Sequence, residues 1–99
     1  MKVDVNYKEI LTSLKDCQEY QFPDLAIKLH CVVPPDEERY FLIATLEGKP
    51  VHASDFYPED VPLRTALQEW VMELVSVAIG QYMRKYPSVS LGKIDTNMD

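Results

Sequence analysis

Apolar and polar positions along this chain change period several times, and each change marks an element. Tyr7, Ile10, Leu11, Leu14 and Cys17 recur at helical spacing, which predicts a first helix from Asn6 to about Tyr20. Asn6 suits the N-cap, and Glu9 three residues on can complete a capping-box exchange. Pro23 forbids continuation. From Leu25 the period drops to two. Leu25, Ile27, Leu29, Cys31 and Val33 alternate with Ala26, Lys28, His30 and Val32, the pattern of a half-buried strand. Pro34-Pro35-Asp36 ends it and opens an acidic turn through Glu37 and Glu38. Residues 39–47, RYFLIATLE, are apolar on both faces at Phe41, Leu42 and Ile43, as expected of a central strand. Glu47-Gly48-Lys49-Pro50 reads as a turn in which Gly48 can take positive φ. Residues 51–56, VHASDF, make a short third strand suited to an edge.

Residues 62–86 return to a helical period, but with two apolar stripes instead of one. Leu63, Ala66, Leu67, Trp70, Leu74, Val77 and Ala78 form the first; Val71, Met72, Val75, Ile79, Tyr82, Met83 and Tyr86 form the second. Pro62 fits the first helical turn and Pro87 stops the helix. The tail, 88–99, alternates weakly at Val89 and Leu91 and reads as a short strand or a frayed end. The expectation is a single domain over 1–99 with its ordered core at about 6–87. Its class is α+β, two-layered: helix, three-stranded antiparallel meander, helix, with both helices on one sheet face.

A helix oily on two sides must bury both. The first helix covers part of the second stripe, and what it leaves bare predicts a contact surface of Met72, Val75, Ile79, Met83 and Tyr86 for a second copy or another protein. The net charge of -6 and a pI near 4.8 then set the chemistry of partners. Few and scattered Lys and Arg argue against direct nucleic-acid binding. Acids at Asp36, Glu37 and Glu38, and at Asp55, Glu59 and Asp60, offer negative charge to a basic partner, with Tyr57 the aromatic expected to be exposed beside them. These two acidic clusters are expected at separate ends of the meander. No run of about eighteen apolar residues is present to span a membrane. The opening MKVDVNYKEI lacks the apolar h-region of a secretory signal, and Cys17 and Cys31 suggest no disulfide framework. A reducing, cytoplasmic setting follows.

Candidate chemistry is sparse. His30 and Cys31 are adjacent in a strand and therefore face opposite ways, so they cannot converge on one centre. His52 with Asp55, or His30 with carboxylates, is the arrangement a small metal-dependent hydrolase would need. No CxxC or HExxH spacing supports it, and no metal or cofactor is expected. No Gly-rich phosphate loop or GxSxG is present either. The order helix, three strands, helix is similar to that of double-stranded-RNA-binding domains. Those modules set basic residues on phosphates, whereas here the second helix follows Glu59-Asp60 with only Arg64 near its start. The resemblance ends at element order. The function expected is that of a small acidic, non-enzymatic interaction protein that self-associates, such as a phage or mobile-element inhibitor blocking a basic surface. The alternative is a dimeric adaptor or chaperone holding a client segment.

Overall fold

The computed structural model describes residues 1–15, 19–36, 38–57 and 63–98. Its order is β1 (Lys2–Asn6), α1 (Tyr7–Lys15), β2 (Glu19–Gln21), β3 (Ile27–Val32), β4 (Tyr40–Leu46), β5 (Lys49–Phe56), α2 (Leu63–Lys85) and β6 (Ser90–Asp95). The fold is α+β, as the sequence pattern predicts, with an antiparallel sheet ordered β2-β3-β4-β5 and a separate parallel ribbon of β1 and β6. The meander expected from the sequence is β3-β4-β5. β2 extends it, and the ribbon is an addition. The element order consequently departs from the helix–three strands–helix pattern.

α1 starts where the pattern places it. The Glu9 N–H donates to Asn6 Oδ1 at 3.1 Å, so Asn6 closes β1 and caps the helix at once. α1 is shorter than expected, because Tyr20 belongs to a strand. Tyr20 and Phe22 alternate inward, ring centroids 5.1 Å apart, and Tyr20 pairs with Leu29. The turn to β3 closes with the Phe22 N–H on the Ile27 carbonyl at 3.1 Å; Asp24 takes a φ of 61°, a conformation its short polar side chain tolerates. β4 and β5 join through Glu47 and Gly48, with φ of 51° and 81°. Two successive positive φ values make this two-residue turn match the twist of the strands it joins. The Glu47 carboxylate accepts from Lys85 Nζ and from the Tyr86 hydroxyl, which fastens the hairpin to the end of α2.

Both helices pack on the same sheet face. α2 lies against β4 and β5, and α1 against α2, β2 and β3. Ile27, Leu29 and Cys31 of β3, Leu42 and Ala44 of β4, and Phe56 of β5 meet Ile10 and Leu14 of α1 and Val71, Leu74 and Ala78 of α2 in one core. The narrowest extent of the Cα frame is 17 Å, the thickness of one sheet and one helical layer. Among the described residues no helix is long and apolar enough to cross a membrane.

Candidate interaction surface

Strand alternation decides what the sheet shows on the side away from the helices. Ile27, Leu29 and Cys31 point inward, so Lys28, His30 and Val32 point outward; Leu42 and Ala44 point inward, so Phe41, Ile43 and Thr45 point outward. Register lines these residues up in rows. Val32 lies beside Phe41 and Phe41 beside Asp55; His30 lies beside Ile43 and Ile43 beside Ala53; Glu19 of β2 lies beside His30. The solvated face of an antiparallel sheet is ordinarily polar. The centre of this one is exposed Val32 and Ala53 with half-buried Phe41 and Ile43, and among the described residues no second layer packs over it.

Polar groups rim that centre. Arg39 donates to Asp55 Oδ2 at 3.0 Å, and its guanidinium lies 5.1 Å from the Phe41 ring centroid and 5.9 Å from that of Tyr57. It therefore ties the apolar centre to an exposed aromatic at the sheet's end. On the far side His30 bridges strands, with Nδ1 3.4 Å from Glu19 Oε1 and Nε2 3.5 Å from Thr45 Oγ1, and Lys28 Nζ sits 3.8 Å from Glu19. This carboxylate–imidazole–hydroxyl row lies across the outer face of β2, β3 and β4.

The acidic segments converge here, which corrects the expectation that they lie at separate ends. Val32 pairs with Phe41 and Tyr40 with Phe56, so the β3–β4 connection and the exit of β5 share one end of the sheet. In an up-down-up meander this is unavoidable. Asp36 and Glu38 are exposed at that end, as are Asp55 and Tyr57; Glu37, Glu59 and Asp60 lie outside the described residues, as does Cys17. Under the same end, on the helical side, Tyr40, Phe56 and Trp70 stack with centroids 5.2 and 5.4 Å apart. Tyr57 directly follows Phe56, the middle ring of that stack.

The second stripe of α2 meets a different fate from the one expected. Val75 and Ile79 are 2% and 3% exposed, so they are core and present no surface in the folded chain. The reason is β1 and its continuation into α1. Val5 and Tyr7 join Val75, Ile79 and Met83 around a groove of about 170 Å³ that Leu91 and Ile94 of β6 close on the other side. Among the described side chains of α2, the buried positions (Val71, Leu74, Val75, Ala78, Ile79) fall on one arc of about 140°, centred between the two stripes. Met72 and Tyr86 remain exposed and Met83 is half-buried. Tyr86 is engaged with Glu47, and its ring lies tilted against that of Tyr82, centroids 4.7 Å apart.

The histidines separate. His30 pairs with Ile43 and His52 with Ala44, adjacent residues of β4, so the two imidazoles lie on opposite sheet faces and cannot share an ion. His52 Nε2 is 3.6 Å from Glu73 Oε1 of α2. Cys31 is buried on the helical face, opposite in direction to His30. Among the described residues no three His, Cys, Asp or Glu side chains are grouped to hold a metal ion.

Three titrating groups bear on the site's frame. Hydrogen bonds from Lys85 and then Tyr86 hold the Glu47 carboxyl below its ordinary range, and the same contacts raise Lys85 and Tyr86. Sequence reasoning missed Val32, Phe41, Ile43, Ala53 and Arg39 as surface residues. The signal was present in the two-sided apolarity of β4, which was sufficiently explained by a central position. No family model matches the chain, and no curated protein and no solved structure is significantly similar to it.

Proposed function

We propose that this chain is a non-enzymatic protein-interaction module that docks its partner on the open face of the four-stranded sheet. The observation that carries this reading is the partly exposed apolar centre of Val32, Phe41, Ile43 and Ala53 beside the Arg39–Tyr57 pair. An apolar centre with a charged rim, anchored by aromatic residues and arginine, is the anatomy of a protein contact. The partner's matching surface is basic at its edge. Asp36, Glu38 and Asp55 gather at one end of the face and the chain carries a net charge of -6, so steering is toward positive potential. An inhibitor that masks a basic groove of a host protein is the form of such a module that the charge favours.

The test is capture of partners from the native host with three matched baits: wild type, Phe41→Ser with Ile43→Ser, and Asp36→Asn with Glu38→Gln. A partner held by wild type is lost to the first variant and becomes less salt-sensitive with the second, while far-UV circular dichroism stays unchanged for both. A partner retained with equal affinity by the Phe41/Ile43 variant would place docking elsewhere and remove the proposal.

A further inference from the structure

We infer that β6 is a self-pairing edge, through which two copies of this chain join β1-β6 ribbons into one four-stranded sheet about a two-fold axis at Ile94. This surface is distinct from the open face assigned above, and the two proposals stand independently.

The ribbon is undersized as it stands. Parallel pairs are the weaker kind, and two-stranded sheets are marginal in water. The four-stranded sheet guards its edges: β2 has three residues, and β5 carries Pro50 and a bulge opposite Ala44 and Thr45. β6 has a register shift of its own between Leu91 and Ile94 and the charged Lys93, but it has no proline, and among the described residues no strand pairs with its outer side. Its inner side is engaged, with the Ser90 N–H on the Met1 carbonyl at 3.0 Å and the Lys93 N–H on Asp4 Oδ1 at 2.8 Å. The register shift between Val3 and Val5 puts one extra residue in β6 across Gly92 and Lys93, which lets the Ser90 and Lys93 amides both turn toward β1; alternation after Lys93 then directs the Ile94 amide away from it.

The side chains agree with the backbone. Leu91 and Ile94 pair with Val3 and Val5 and share their apolar face. Val3 and Val5 are buried, whereas Leu91 and Ile94 are 42% and 46% exposed, overhanging the groove beside α2. Apolar side chains on the core side of a strand, but beyond the reach of their own core, are completed by a neighbouring strand.

Charge names the neighbour as a second copy. A two-fold axis between antiparallel strands requires one residue to face its own image. Centring it on Ile94 sets Ile94 against Ile94 on the apolar face, and Lys93 of each copy against Asp95 of the other on the solvent face. Centring it on Lys93 would oppose two lysines, and centring it on Gly92 would oppose Leu91 with Lys93. The Ile94 register also uses the Ile94 amide, which points outward. The corresponding edge of β1 is less suited, because Asp4 is already turned onto the Lys93 amide.

Sedimentation velocity over a micromolar to millimolar range tests this. Wild type is a dimer. Lys93→Glu and Asp95→Lys each convert two symmetry-related attractive pairs into repulsive ones and weaken the dimer about tenfold, and the double swap restores it. Both side chains are exposed, so circular dichroism stays native. A measurement free of variants accompanies it: hydrogen exchange at the Ile94 amide slows as concentration rises. A wild-type monomer throughout, a dimer indifferent to both single swaps, a double swap that fails to restore, or concentration-independent exchange at Ile94 would each overturn the inference.

Discussion

Ile79→Ala separates a core residue from a contact residue, and its cost can be worked from the structure. Ile79 is 3% exposed and packs in the wall formed with Val5, Tyr7, Val75 and Met83. Truncating a buried Ile, Leu or Met to Ala costs about 2–5 kcal/mol, more where the surroundings cannot close over the gap. Ile79 borders a groove of about 170 Å³ that is already open on one side, so part of its contact is absent from the start. The lower half of the range applies, about 3 kcal/mol. For a domain of this size that lowers Tm by about 12–24 °C and consumes a large share of a total stability of about 5–15 kcal/mol. Met72, on the same stripe and 41% exposed, is the control, and Met72→Ala changes stability by no more than about 0.5 kcal/mol. Urea titration, followed by far-UV circular dichroism and by the fluorescence of the single tryptophan, Trp70, measures both. Repeating it at two protein concentrations distinguishes core from interface, since loss of an interface scales with concentration. The reasoning fails if Ile79→Ala costs under about 1 kcal/mol, if Met72→Ala costs as much, or if the Ile79 loss varies with concentration.

Three further outcomes follow from local features. A Cβ built at Gly80 meets nothing within 4 Å, and the position is a helix interior, so Gly80→Ala stabilises by about 0.5–1 kcal/mol; a lowered Tm would show the groove to be already filled. Asn6→Ala removes the oxygen that accepts from the Glu9 N–H and costs about 1 kcal/mol in denaturant titration, whereas Asn6→Asp leaves stability nearly unchanged. The Glu47 cluster makes stability depend on pH at both extremes. Its carboxyl titrates below the ordinary value of 4.5, so its contribution is present above that value and is lost as pH falls through the depressed one. Lys85 and Tyr86 are raised above 10.5 and 10.0, so their share is whole below those values and disappears as pH climbs through the raised ones. The stability gap between wild type and Glu47→Gln, from melts across pH, is therefore widest near neutrality; a constant gap would refute the coupling.

The open face itself was half legible in the chain. RYFLIATLE announces a strand with apolar residues on both sides, and β4 is indeed the inner strand of the meander. Burial of both sides does not follow from that pattern, because covering the outer face takes a third layer and the two helices pack together on the inner one. Convergence of the acidic segments was derivable from the direction of successive strands, yet it needed the meander to be followed in space. The KVDVN alternation at Val3 and Val5 was visible too, although a five-residue strand has no meaning until its partner is known. That partner, β6, lies at the opposite end of the sequence, and no local pattern reports a pairing over such a separation.

Residue order alone determined the period of each long element, the cap at Asn6, the turn at Gly48 and the acidic balance. All of these depend on backbone sterics, on neighbours within a few positions, or on composition. Tertiary structure decided which oily surface is left over. Val75 and Ile79 disappear because β1 and Tyr7 reach them from the far side of the chain, while Phe41 and Ile43 stay half-buried and Leu91 exposed because among the described residues no further layer packs on them. Hydrophobicity states that a side chain is better out of water; only the arrangement of distant segments determines which ones succeed.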